Sequence, residues 1–284
     1  MSRDHKIGSR ICIIAAALLF GLAGVCVKSI EWNTMQLVCA RSILSFFVLL
    51  AYKRSLHVRL SKENLFGALM MTATSLLYVQ AIKMTTAGTA IVLQYIAPIL
   101  VFLYSVLFQG KKANIIEILV TAVIFGGIVL SFADTLDATH VVGNLLALLS
   151  GFTFAAQIIA MNNEKADSED GLLISCVLSF LIALPFVLSG NPPMFDTKNI
   201  VWVLILGIFQ YGLANVLFGI GIKKVNAVES SLLLTLEPIF NPIPVAVFCG
   251  EMMGTKAIIG SMIVVIGLVF NSLINSHGNI KSIS

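Results

Sequence analysis

One carboxylate lies deep within an apolar run of this chain. Glu237 is the eighth residue of the stretch from Ser230 to Cys249, about 12 Å along a helix at 1.5 Å per residue. Pro238 follows it, and Pro242 and Pro244 come within two further turns. Proline has no N–H to give to the carbonyl four residues back, so Leu234, Pro238 and Phe240 are expected to present freed carbonyls. Pro98 does the same to Gln94 in another apolar run. Asn241 stands four residues beyond Glu237, on the same helical face. A carboxylate, an amide and freed carbonyls in apolar surroundings can hold an amine or a proton. The alternative is a structural acid that pairs with Arg41, Lys28 or nearby backbone.

Arg41 and Lys28 are the basic counterparts. Arg41 is seven residues into an apolar run and keeps its charge in any setting. It either receives a carboxylate or serves as a structural or snorkelling charge. Lys28, on the face of Gly21 and Gly24, either meets a substrate, acts in gating or reaches the interface with its long stem. Neutral polar and aromatic residues recur at helical spacing: Met71, Ser75 and Tyr78 in one segment, Tyr211, Asn215 and Phe218 in another, with Gln94, Tyr95, Thr153 and Gln157 elsewhere. They either line a cavity or join helices by hydrogen bonds. Pro98, Pro238, Pro242 and Pro244 are the expected helix breaks.

Other chemistry is excluded by pattern. No HExxH, P-loop or GxSxG run is present, and no pair of aspartates lies within apolar segments, so an enzyme is not expected. Cys12, Cys26, Cys39, Cys176 and Cys249 lie in apolar stretches without CxxC spacing; they read as small buried hydrophobes rather than disulfide or zinc ligands. No cofactor or metal is expected. The 18 Lys and Arg residues form no basic stripe with interleaved aromatics, which argues against a nucleic-acid partner.

The elements that carry these residues follow from composition. The 284 residues are 58% hydrophobic and only 11% charged, with a mean hydropathy of +0.98. A soluble domain is nearer a quarter charged. Apolar segments run from Ile11 to Val27, Thr34 to Tyr52, Leu65 to Ile82, Ala87 to Phe108, Ile115 to Ala133, Val141 to Met161, Leu172 to Ser189, Ile200 to Ile222, Ser230 to Cys249 and Ala257 to Ile274. Each approaches the roughly 20 residues that a helix needs to span a bilayer, about twice the length of a membrane β-strand. The chain is therefore read as an all-α integral membrane protein of ten transmembrane helices. The first segment is kept as a helix because it is long for a signal peptide and ends without a clear cleavage site.

Orientation follows from Lys and Arg outside the apolar segments. With the N-terminus inside, thirteen lie on the inner side and four (Lys28, Lys83, Lys198 and Lys256) on the outer. Both termini are expected in the cytoplasm and the protein in the cytoplasmic membrane.

The segments repeat. A shift of 140 positions pairs Gly67 with Gly207, Lys83 with Lys223, Ala87 with Ala227, Pro98 with Pro238, Phe108 with Phe248, Gly110 with Gly250 and Gly127 with Gly267. Five crossings per half make the second half enter from the opposite side. The expectation is two inverted five-helix repeats, over 9–135 and 140–275, around a central cavity. Secondary transporters are commonly built this way, with the substrate near the midplane. Gly126, Gly127, Gly260 and Gly267 are expected to let helices pack closely.

The residues also resemble a family. Phe20-Gly21, Lys28, Arg41, Ala87-Gly88-Thr89-Ala90 and Ala97-Pro98 in the first copy, and Ala227-Val228-Glu229-Ser230-Ser231, Leu236-Glu237-Pro238 and Gly250-Glu251, with Gly260 and Gly267, in the second, resemble the EamA-like transporters of the drug/metabolite transporter superfamily. The first copy departs from the pattern at Gly110-Lys111, where Gly-Glu is common, and at Phe20, where Trp is frequent. The resemblance implies helices 1, 3, 4, 6, 8 and 9 around the cavity, helices 5 and 10 at the periphery, and alternating access, often in export.

The expected activity is secondary transport of small metabolites, with export of amino acids or related compounds as the leading reading. Import or facilitated movement of a nucleoside or amine is the alternative, and a channel or membrane scaffold is the reading of another class. Glu237, Asn241, Tyr78, Gln94, Tyr95, Gln157, Tyr211 and Asn215 are the candidate substrate residues, with Lys28 and Arg41 as structural or gating charges. The expected partners are a small-molecule substrate and the lipid bilayer, in a monomer or a homodimer.

Overall fold

Helix starts are set by short polar side chains that take up the free N–H groups of the first turn. Asn33 and Gln36 form a reciprocal capping box, with Asn33 Oδ1 accepting from the Gln36 N–H at 2.9 Å and Gln36 Oε1 accepting from the Asn33 N–H at 3.0 Å. Ser61, Thr86, Asp167 and Asp196 cap four further helices in the same manner. The computed structural model describes residues 3–55, 57–110, 114–133, 140–161, 163, 165–222, 233–234 and 236–281. Among these, all regular structure is helical. Ala227 to Ser231, Lys111, Lys112, Lys223 and Lys224, used above for family pattern or topology, lie outside the described residues.

In chain order the helices are α1 (Arg3–Phe20), α2 (Ala23–Ser29), α3 (Thr34–Lys53), α4 (Lys62–Met84), α5 (Ala87–Gln94), α6 (Ala97–Phe108), α7 (Ile115–Ala133), α8 (Val141–Met161), α9 (Ser168–Ser189), α10 (Thr197–Leu204), a π-helical stretch Ile205–Leu213, α11 (Ala214–Ile222), α12 (Leu236–Phe240), α13 (Pro242–Cys249) and α14 (Thr255–Lys281). Seven helical stretches are long and apolar enough to cross a bilayer: Ile7–Ser29, Thr34–Lys53, Lys62–Met84, Ala87–Phe108, Val141–Ala160, Ser168–Ser189 and Thr197–Gly221. Three shorter apolar stretches, Ile118–Ser131, Leu236–Cys249 and Thr255–Phe270, occupy the other segments read from the sequence.

Three of these stretches are broken midway. Ala87–Phe108 divides at Tyr95 and Ile96, just ahead of Pro98. Leu236–Cys249 divides at Asn241, with Pro242 opening the second piece, as proline favours the first position of a helix. Pro238 and Pro244 lie within α12 and α13, so the expected breaks condense to one position there. The first stretch divides at Gly21 and Leu22 without any proline; a Cβ on Gly21 would stand 2.8 Å from the Phe240 ring, so the ring occupies the space a side chain would need. Pro185 sits inside α9 without dividing it.

Packing gathers the broken pieces. α8 lies along α4, α5 and α6; α1 lies along α11 and α12; α2 meets α13; α3 packs on α9 and the π-helical stretch. α7 and α14 pack on each other, and a Cβ on Gly260 would come 2.5 Å from the Gly127 carbonyl oxygen. Close approach through small residues is how helices associate where lipid is as apolar as the side chains. Gly267 meets Ile124 in the same seam, whereas Gly126 faces open space and takes no part in it. Gly151 serves the broken helix directly: a Cβ there would stand 2.8 Å from the Gln94 oxygen that Pro98 frees.

Candidate functional site

The two proline-broken stretches meet. Pro238 leaves Leu234 without its helical donor, and the Tyr95 hydroxyl donates to that carbonyl at 3.1 Å. The same hydroxyl lies 3.2 Å from Glu237 Oε2. Tyr95 follows α5 directly, so the break ahead of Pro98 places its ring against Glu237 in the first turn of α12. A phenol carries one proton and here faces two acceptors. Two full hydrogen bonds form when Glu237 is protonated and donates to Tyr95 Oη while Tyr95 donates to Leu234. No Lys, Arg or His among the described residues stands within ion-pair distance of Glu237. Its expected structural pairing with Arg41 or Lys28 is absent from those residues.

Tyr78 of α4 carries a buried hydroxyl without a hydrogen-bond partner. Asn241, at the division between α12 and α13, is fully buried, and both atoms of its amide lack partners. It presses on Gly24, where a Cβ would stand 2.8 Å from its Oδ1. Buried polar atoms are nearly always satisfied.

Arg41 of α3 is 5% exposed. Its Nη2 donates to Ser75 Oγ of α4, and its guanidinium carbon stands 4.3 Å from the centroid of the Tyr211 ring, a cation–π arrangement. Tyr211 belongs to the π-helical stretch. Arg41 Nε and Gln210 Oε1 are buried without partners. Gln210 was not among the residues expected from sequence; its only mark there was an amide within an apolar run.

Gln94 donates to Ser150 Oγ at 3.3 Å, and Asn215 donates to the Tyr211 carbonyl one turn back at 2.7 Å. Both are thus engaged within the protein. Gln157 is half-buried on α8.

Lys28 forms a strap at one end of the helices. Its Nζ donates to the Thr85 carbonyl at 2.7 Å and pairs with Glu251 Oε2 at 2.7 Å. Glu251 Oε1 accepts the Ala87 N–H at 2.6 Å, at the start of α5. Carboxylates are favoured at helix N-termini. Ser29 Oγ and Cys249 Sγ lie 3.6 Å apart beside the pair. The strap joins α2, the turn between α4 and α5, and the residues after α13. In the sequence Glu251 is marked only by its Gly-Glu pattern and by its place after an apolar segment, on the same expected side as Lys28.

At the opposite ends of α3 and α4, Lys53 pairs with Asp170. The Arg59 N–H donates to Asp170 Oδ2 at 2.9 Å, and Asn64 accepts the Asp167 N–H at 2.8 Å. A cavity of about 510 Å3 opens beside this network, between the start of α4, α6 and the end of α8, lined in part by Lys62, Glu63, Tyr104, Ser105, Gln109 and Asn163. It shares no lining residue with the Glu237 cluster.

The model of the EamA-like transporter family matches residues 9–133 and again residues 141–273. An uncharacterised transporter of Archaeoglobus fulgidus is 23% identical over 260 residues, covering 90% of this chain and 93% of that protein. One from Clostridium kluyveri is 21% identical over 211 residues, covering 70% and 68%. The uncharacterised transporter YdfC of Bacillus subtilis is 30% identical over 106 residues, 37% of this chain and 35% of that protein. A solved crystal structure superposes with a TM-score of 0.72 over 96% of this chain and 99% of its own, at 17% identity, a likeness of fold alone.

Proposed function

We propose, from the premise that this chain belongs to the EamA-like transporter family, that it is a secondary carrier exporting amino acids or related small metabolites across the cytoplasmic membrane by alternating access. In this reading ten helices cross the bilayer as two inverted repeats, 9–135 and 140–275, with both termini in the cytoplasm. The observation that carries the proposal is the meeting of Tyr95 with Leu234 and Glu237. Pro98 and Pro238 correspond under the 140-residue shift, and prolines that free backbone carbonyls at membrane depth are tolerated only within protein or beside water, as at transport sites.

Glu237 takes the role of amine or proton acceptor, with Tyr78, Tyr95 and Asn241 around it. Gln94, Gln157, Tyr211 and Asn215 complete the wall, Gln94 and Asn215 from positions already held by internal hydrogen bonds. The Lys28–Glu251 strap closes the outer end, where α2, α5 and α13 converge. Opening that end requires the pair to separate, and the two are partly solvent-reached at 20% exposure each. The pairing of Tyr95 with two acceptors favours a Glu237 that gains and loses a proton in the cycle, hence antiport against protons over simple facilitated movement.

Purified full-length protein in proteoliposomes tests the reading. Vesicles preloaded with an unlabelled amino-acid mixture are expected to accumulate labelled amino acids by saturable counterflow. Conductance without saturation would replace the carrier with a channel, and counterflow of nucleosides or amines alone would replace the substrate.

A further inference from the structure

We infer that Arg41, with the hydroxyls of Ser75 and Tyr78, forms a carboxylate-binding subsite, so that the carried molecule bears a carboxylate. The inference rests on the carrier reading above and narrows its substrate. Arg41 is 95% removed from solvent, being 5% exposed, and lies about 10 Å along α3 at 1.5 Å per residue. A guanidinium remains charged there, and an isolated charge at that depth needs an anion. Among the described residues none supplies one; Glu251, Asp170 and Glu31 are engaged with Lys28, Lys53 and Lys198. Tyr211 offers the face of its ring, which softens the charge without neutralising it.

The free donors point to the geometry of the missing anion. Nε and Nη2 lie on one edge of a guanidinium, and that edge matches the two oxygens of a carboxylate. Nε has no partner, and Nη2 has only the Ser75 hydroxyl, which can turn and donate to the same ligand. Tyr78 follows Ser75 by three positions, on the same face of α4, and its buried hydroxyl is also unpartnered.

Matched ligands test the subsite. Full-length protein in detergent is titrated with leucine, leucinamide and isoamylamine, with phenylalanine, phenylalaninamide and phenethylamine, and with uridine and glucose, using thermal stabilisation as the readout. The acid of at least one set is expected to bind at least ten-fold more tightly than its amide and amine. Arg41→Gln is expected to weaken that acid roughly 30-fold or more, the scale of losing one partner of a buried charge pair, with Arg41→Lys recovering part of the affinity. Equal binding of acid and amide, or binding of uridine, glucose or the amines without any acid, overturns the subsite. The comparison within each set uses the unaltered protein and so does not depend on the variants folding. Counterflow of a compound without a carboxylate would refute this inference and leave the carrier reading standing, whereas loss of all saturable flux would refute the carrier reading itself.

Discussion

Tyr95 and Glu237, 142 positions apart, meet at 3.2 Å, Tyr95 at the interruption between α5 and α6 and Glu237 in the first turn of α12, just ahead of Pro238. The Tyr95 hydroxyl is also the partner of the Leu234 carbonyl that Pro238 leaves free. Tyr95→Phe removes both contacts and nothing else of the ring. Leaving a buried acceptor unmade costs about 1–3 kcal/mol, so the variant is expected to melt earlier in detergent by an amount on that scale. Counterflow should fall without vanishing, since Glu237 remains. A variant as stable as the parent, with unchanged flux, would show that the hydroxyl holds neither the break nor the acid.

The strap between Lys28 and Glu251 predicts a redox-controlled lock. Ser29 Oγ lies 3.6 Å from Cys249 Sγ, so Ser29→Cys brings two sulfurs to a separation that side-chain rotation can bridge. In a Cys26→Ala background, which removes the neighbouring thiol, oxidation should bind the two ends of the strap together. Counterflow should then fall to near the level of empty vesicles and return on reduction. A cross-linked protein that still transports at the parental rate would mean that this end need not open.

Glu251→Gln probes the same region differently. The pair is partly exposed, and such ion pairs contribute about 0–1 kcal/mol, so the melting temperature should hardly move. Glu251 also accepts the Ala87 N–H at 2.6 Å, and a neutral amide can keep that bond. The effect should therefore appear in transport, as a several-fold change in counterflow rate, rather than in stability. A large loss of stability would assign Glu251 to folding rather than to gating.

Glycine positions separate packing from function. Gly260→Ala drives a methyl to within 2.5 Å of the Gly127 carbonyl, and Gly151→Ala drives one to 2.8 Å from the Gln94 carbonyl. Backbone cannot move aside as a flexible side chain can, so each is expected to destabilise the protein by about 1–3 kcal/mol. Gly126→Ala, facing open space, should be neutral. Thermal melts of the three variants in one detergent decide this. Equal behaviour of Gly126→Ala and Gly260→Ala would contradict the seam between α7 and α14.

Much of this was legible in the chain because its causes are local. Apolar length announces a helix, and the missing N–H of Pro98 and Pro242 announces an interruption within a few residues. The division at Gly21 and Leu22 has no such mark, since it accompanies the Phe240 ring packed against Gly21 from far along the chain. The π-helical stretch Ile205–Leu213 is equally silent, because one extra residue per turn leaves composition untouched. Glu237 and Arg41 stood out as charges in apolar runs, yet whether they paired with each other was a question of tertiary structure. Lys28 found its carboxylate in Glu251, beyond any local pattern, while the alternative pairing with Glu237 did not form among the described residues.

The measurement that bears most directly on the central claim is counterflow by Glu237→Gln across a range of pH, beside the unaltered protein. Reconstituted parent is expected to show saturable amino-acid counterflow and flux that responds to an imposed proton gradient. The variant should be inserted and folded, and should either lose transport or continue exchange without responding to the gradient. Unaltered flux in the variant with the parental pH dependence would contradict the account, because Glu237 would then stand outside the transport site.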